Sequence, residues 1–313
     1  MFLFCTITRG LRIVRNQEMK SSADSISFDG AGETAVSGRD ALMIDQDARD
    51  FRGSPDRFGY EWGAYAEILP EHEEQFRRWT VHVTPGVWRG KSFLDVGCGM
   101  GRNSYWPMTY GASGGCAVDL DERSLANARR NLARFPTVDI LRSSAYNLPF
   151  ANRFDIAFAI GVIHHLEHPG RALQRMARAV KPGGRVLIWV YGHEGNRWLV
   201  ALLDPLRRAL FSRLPVAFVH HLSLYPAAAL WLALRIGLRP NEYFKLLTRF
   251  GFPHLRSIVF DQMMPRIAHY WPRERVAELM TEAGLEDVRI RVVNQMSWSA
   301  IGTRPLAIEP MRS

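Results

Sequence analysis

A glycine-rich turn preceded by an acid, a second acid 22 positions beyond its first glycine, and two adjacent histidines are the features of this 313-residue sequence whose spacing could do chemistry. The turn reads Phe93-Leu-Asp95-Val-Gly97-Cys98-Gly99-Met-Gly101-Arg-Asn103. Glycines let the backbone turn tightly and let a ligand come close to it. A helix starting after them offers free amide N–H groups to an anionic group. The spacing is GxGxG, not the dinucleotide pattern GxGxxG, and such a turn alone is a weak signal. Asp119 adds weight, because a carboxylate at the end of the next strand can accept from two ribose hydroxyls. His164 and His165 follow a later strand, where a neutral imidazole can take a proton from a ligand hydroxyl. The structural alternative is that one histidine caps the strand and the other is a buried, hydrogen-bonded ring.

These residues need a sheet to gather them, and the pattern predicts one. Short β-branched and apolar runs predict strands over 92–96, 116–120, 140–142, 154–160 and 185–191, with helices over 122–135 and 171–180 and a turn over 181–184. Pro272–Ala283 reads as a helix, with proline in its first turn and Gly284 as its stop. Strands over 288–293 and 297–302 follow, the last pairing antiparallel at the sheet edge. Such alternation predicts an α/β fold: a doubly wound, mostly parallel seven-stranded sheet with an antiparallel edge strand, plus a helical insertion.

The expected organisation is a mobile leader over 1–55, a helical cap over 56–90, a ligand-binding core over 91–194, a basic apolar insertion or lid over 195–256, and the rest of the core over 257–313. The leader is poor in large apolar side chains, and Met19 is an alternative start. No secretory signal is expected, since the apolar run at the N-terminus is short and its charge follows it. The cap is rich in aromatics, among them Phe58, Tyr60, Trp62 and Tyr65, which form a packing layer or a lid.

With 47% apolar residues the chain can bury a sizeable core, and its three cysteines, Cys5, Cys98 and Cys116, rule out a disulfide framework. A reducing, cytoplasmic setting is expected. No metal is expected, as there is no HExxH and no CxxC pair. The formal charge of +9 permits nucleic acid, an anionic membrane or an acidic ligand as partner. Its location is more telling: residues 195–256 hold eight Arg and one Lys against Asp204 and Glu242. The apolar stretch 214–238 has the length of a membrane span, roughly 20 residues. His220, His221, Pro226 and Arg235 interrupt it, which favours a helical insertion over the C-terminal edge of the sheet.

Four segments together resemble the class I S-adenosylmethionine-dependent methyltransferases of bacterial small-molecule type. They are Leu94–Gly101; Ala117-Val-Asp119-Leu-Asp121; Asn147–Phe150 with Phe154–Leu166; and Lys181–Ile188. The resemblance covers about residues 90–191 and implies a Rossmann-like fold and S-adenosyl-L-methionine as cofactor. It also implies a site. Gly97, Cys98, Gly99 and Gly101 would border the methionyl part, with Asp95 beneath it. Asp119 would bind the ribose and Leu120 the adenine. Ser144 and Ala145 stand where the family often has an acid toward the adenine amino group, a departure that leaves that contact open. Gly161 and Val162 would end the fourth strand beside the sulfonium, and Arg102 would pair with the cofactor carboxylate or lie exposed. His164, His165 and His193 are candidate bases. Tyr60, Trp62, His269 and Tyr270 are candidates to meet the substrate.

The tetrapeptide [DN]-P-P-[YF], common in amino methylation of nucleic-acid bases, is replaced here by Ala159-Ile-Gly-Val162. Nucleic acid is therefore not the expected partner. The leading expectation is in-line methyl transfer to a small-molecule biosynthetic acceptor. The alternatives are methylation of a lipid, quinone or lipid-linked glycan at a membrane surface, with peripheral contact through 195–256, and a non-catalytic module that holds the cofactor.

Overall fold

The computed structural model describes residues 54–238 and 242–306, without the side chains at 198, 199 and 242. Apart from Ser54 and Pro55, the leader and the start-site question lie outside the described residues. The chain enters through α1 (Pro55–Ala64), α2 (Glu71–Trp79) and α3 (Pro85–Trp88). The core follows as β1 (Ser92–Val96), α4 (Arg102–Thr109), β2 (Gly114–Asp119), α5 (Glu122–Asn131), β3 (Val138–Arg142), β4 (Phe154–Ile160), α6 (Pro169–Ala179) and β5 (Val180–Tyr191). An all-helical stretch comes next: α7 (Arg197–Leu206), a π-helical turn (Arg207–Phe211), α8 (Val216–Leu222), α9 (Leu224–Arg235), α10 (Glu242–Leu247) and α11 (Phe252–Met263). The core closes with α12 (Arg273–Glu282), β6 (Glu286–Val293) and β7 (Ser297–Thr303).

The seven strands form one sheet in the order β3-β2-β1-β4-β5-β7-β6. Five run parallel in register, and β7 pairs antiparallel with both β5 and β6. The reversed strand thus lies one place in from the edge, with β6 outside it. Two further details differ from the expectation. Lys181–Gly184 is not a free turn: it is the bulged start of β5, with Gly183 at φ +75° and a register shift opposite Phe154–Ile156. The helical insertion also runs past residue 256, because α11 continues to Met263.

Both faces of the sheet are covered, as side chains of period two require. Leu94, Val96, Ala157, Ala159, Val186 and Ile188 pack with α6 and α12 on one face. Phe93, Ile156, Phe158, Ile160 and Leu187 pack with Phe76, Trp88 and Trp106 on the other. The chain winds outward from β1 through β2 to β3, then restarts at β4. The C-terminal ends of β1 and β4 are therefore the switch point where an open α/β sheet binds ligands.

Arg57 ties the cap to the insertion. Its buried guanidinium donates to the carbonyls of Phe211 (3.1 Å), Met264 (2.8 Å), Ser212 (3.1 Å) and Leu214. Those of Phe211, Ser212 and Met264 end the π-helical turn and α11, where backbone acceptors have no intrahelical partner and a cation is favoured, and that of Leu214 lies in the following loop. The cap is also bonded to the core: Asn127 Nδ2 donates to Trp62 O (2.7 Å) and Asn131 Nδ2 to Ala66 O (2.9 Å).

Candidate functional site

The glycine turn sits at the switch point. Gly97 has φ +73°, and a Cβ there would lie 2.5 Å from Val162. Gly99 has φ +54°, and its Cβ would collide with the Trp62 indole. No other residue fits either place without moving β4 or the cap. Asp119 braces the turn: its Oδ2 accepts from Gly99 N–H (2.9 Å) and its Oδ1 from Asp121 N–H (3.0 Å). Each oxygen keeps a lone pair for a further donor. Burial raises the Asp119 carboxyl above its ordinary pKa, against its backbone hydrogen bonds. Asp95 lies behind the turn, fully buried, accepting from Ser104 Oγ (2.7 Å), and burial pushes it up to about 7.

A cavity of about 930 Å³ opens from this point. Its floor includes Gly97, Asp119, Leu120, Ser144, Ala145, Gly161 and Val162. Asp95, Cys98, Gly99 and Gly101 are not in its wall and shape the turn from behind. At one end Arg102 lies between two indoles, its guanidinium carbon 5.5 Å from the Trp62 ring centre and 5.4 Å from that of Trp79. Burial lowers its pKa to about 10, opposed by Glu61 and Asp261. Around it are three buried atoms without partners: Glu61 Oε2, Gln75 Oε1 and His254 Nε2. The tautomers follow from a relay. Leu69 N–H donates to His72 Nδ1 (3.1 Å), so His72 carries its proton on Nε2 and donates to His254 Nδ1 (3.3 Å). His254 is left with an N–H at the cavity. Two cationic or N–H donors beside two carbonyl-type acceptors match the carboxylate and ammonium of an α-amino acid.

The insertion supplies much of the remaining wall. Leu202, Leu203, Leu206, Leu230, Tyr243 and Ile258 make it largely apolar. Its polar group lies at the end of β5. Tyr191 O–H donates to Asp261 Oδ2 (2.6 Å), and Gln262 Nε2 donates to Tyr191 Oη (2.8 Å). Tyr270 stacks on Tyr191 at 5.4 Å. Burial raises the Asp261 carboxyl, against the Tyr191 bond and Arg102. Glu61 is raised by burial and by the charge of Asp261.

The structure brings Trp62, His165 and Tyr270 to the cavity wall and leaves Tyr60, His164, His193 and His269 out of it. Tyr60 Oη bonds His220 Nδ1 (3.1 Å), and His269 stacks on Trp271. His164 is fully buried against Tyr191, its ring centre 4.0 Å away. His165 donates Nδ1–H to Ile267 O (2.7 Å), so its Nε2 is the free acceptor. Burial depresses it to about 3, which makes it a feeble proton acceptor near neutrality. A raised carboxylate is better matched, which favours Asp261, a residue the sequence did not single out. The signal lay in Asp261-Gln262, a polar pair that follows the apolar run Ile258-Val-Phe260. The His165 imidazole is expected to show no titration between pH 5 and 8 by nitrogen NMR; a midpoint near 6.5 would restore it as the base.

A methyltransferase domain model matches residues 94–188. A demethylmenaquinone methyltransferase of Renibacterium salmoninarum is 31% identical over 172 residues, covering 54% of this chain and 69% of that protein. One from Paenarthrobacter aurescens is 32% identical, covering 54% and 64%. A ubiquinone biosynthesis O-methyltransferase of Thiobacillus denitrificans is 28% identical, covering 45% and 62%. The chain thus spans 62 to 69% of the length of these relatives. Among solved structures, a chain from a complex of the Haloferax volcanii Trm112 methyltransferase activator with a methyltransferase shares the fold. It has a TM-score of 0.50 at 16% identity, covering 82% of this chain and 99% of that one. The chain belongs to the S-adenosylmethionine-dependent methyltransferases. The cofactor of that family is S-adenosylmethionine.

Proposed function

We propose that this protein transfers a methyl group from S-adenosylmethionine to a hydroxyl-bearing, largely apolar small molecule. The observation that carries this reading is one cavity joining the glycine turn and Asp119 to an apolar chamber with a polar group at the end of β5. The cofactor supplies a methyl on a sulfonium, already a good leaving group, so the protein's work is alignment and a dry site.

The residues present fit that cofactor. Asp119 takes both ribose hydroxyls on its remaining lone pairs. Leu120, Ala145 and the Ser144 hydroxyl border the adenine. Arg102 and His254 hold the methionyl carboxylate, while Glu61 and Gln75 give the ammonium the partners it needs. Gly161 and Val162 leave room beside the sulfur. On the acceptor side, the apolar walls suit a ring or chain of the quinone-precursor kind that the relatives' names specify. Tyr191 and Gln262 hold Asp261 in one orientation, and Asp261 takes the proton as the acceptor oxygen attacks. Cys98 and Cys116 are buried free thiols, which suits a reducing, cytoplasmic setting.

The test is transfer of label from methyl-labelled S-adenosylmethionine to a panel of phenols and quinols. Asp261→Asn is expected to lower turnover by about 10²- to 10⁴-fold, the ordinary worth of a general base. Its affinity for S-adenosylhomocysteine is expected to stay within about twofold of the parent's, well under 1.4 kcal/mol. Turnover within threefold of the parent would remove Asp261 from this role, and no transfer to any member of the panel would remove the acceptor class.

A further inference from the structure

Eight of the ten large apolar side chains exposed among the described residues lie between Leu202 and Leu238. They are ordered. On α7 and the turn after it, Leu202, Leu206 and Leu210 recur every four residues. On α8 and α9, exposed Phe218, Tyr225, Leu232 and Ile236 follow at spacings of seven, seven and four, one helical face. The opposite face is also apolar, and it is used: Val219, Ala227 and Leu234 are buried, and His220 is held between Tyr60 and Tyr65. Val216–Arg235 is long and apolar enough to cross a membrane, with mean hydropathy 1.4, and 17% of it is buried. A helix with one face committed to its own protein cannot span; its free face can lie in an interface.

The charge says which interface. Arg197 on α7, Arg213 in the loop before α8 and Arg235 on α9 are exposed. The sole acid in 195–241 is Asp204, which is buried and paired with Arg207 and Arg208. A second copy set across a two-fold axis would bring these arginines together with no acid to meet them. An anionic lipid surface gives Arg197, Arg213 and Arg235 a partner. The cavity adds a direction: Leu202, Leu206 and Pro226 both line it and are exposed, so its mouth lies on this face.

We propose that α7–α9 dock this protein on the surface of an anionic phospholipid bilayer, with the cavity mouth toward the acyl layer. The docking stands on the surface itself; delivery of an apolar acceptor from the lipid rests on the methyltransferase reading above. The experiment is flotation of the full chain with vesicles of phosphatidylcholine and phosphatidylglycerol in equal parts, or of phosphatidylcholine alone, beside calorimetry with S-adenosylhomocysteine. The parent is expected to float with the anionic vesicles and at least tenfold less with the neutral ones. Phe218→Glu/Ile236→Glu and Arg213→Glu/Arg235→Glu, at positions away from the cavity, are each expected to reduce flotation tenfold and leave calorimetry unchanged. A parent that stays at the bottom of the gradient overturns the docking, as does equal flotation of parent and variants. So does a dimer in sedimentation equilibrium that Phe218→Glu/Ile236→Glu dissolves. Flotation without S-adenosylhomocysteine binding leaves the docking in place and overturns the methyltransferase reading instead.

Discussion

Asp119→Ala is expected to weaken S-adenosylhomocysteine binding at least a hundredfold, about 2.7 kcal/mol, in a calorimetric titration. Two losses add. The ribose hydroxyls lose a charged acceptor, and hydrogen bonds to a charged group are worth about 1.5–3 kcal/mol each. The Gly99 and Asp121 N–H groups lose theirs as well, so the turn that must receive the ligand loosens. Asp119→Asn keeps the shape and one acceptor oxygen, but its amide nitrogen faces an N–H donor. An intermediate loss of roughly tenfold is expected for it. An alanine variant that is folded and binds within threefold of the parent would move the ribose elsewhere.

Arg57→Met is expected to destabilise the folded protein by about 3 kcal/mol in urea denaturation. The gross loss is larger, since four carbonyls, three of them at the ends of helical segments, lose their donor. Part is returned because a buried guanidinium no longer has to be desolvated, a cost reflected in its lowered pKa. Arg57→Lys tests the geometry: its ammonium brings three donors to four carbonyls and lacks the planar fork. Its midpoint is expected between those of parent and methionine variant. Hydrogen exchange should quicken first at Arg207–Phe211, before the sheet. A methionine variant within about 0.5 kcal/mol of the parent, the range of an ordinary surface change, would show that the cap and insertion are joined by other contacts.

The core was legible because its signals are local. β1 and β4 are short, mostly apolar runs, Gly97 and Gly99 need positive φ, and Asp119 follows at the length of one helix and one strand. The place of β7 was not, because inserting between β5 and β6 is a decision about partners far apart in sequence. The insertion was legible as greasy and basic, but not as helices with one apolar face buried and one exposed, since both faces carry the same residue types. The role of Arg57 was not legible, because its partners lie more than 150 positions away. Distance along the chain also hid the contact of Asp261 with Tyr191, which lies 70 positions away. The two adjacent histidines drew attention by type, and burial, which a sequence does not show, is what depresses His165.

In the proposed function one cavity holds the cofactor at the glycine turn and presents its sulfur to the Tyr191–Asp261 chamber. A crystal structure with S-adenosylhomocysteine bound tests it most directly. The ribose hydroxyls are expected within about 3 Å of Asp119 Oδ1 and Oδ2, the carboxylate at Arg102 between the two indoles, and the sulfur facing the end of β5. A ligand bound with its ribose away from Asp119, or with its sulfur walled off from Tyr191 and Asp261, would contradict it.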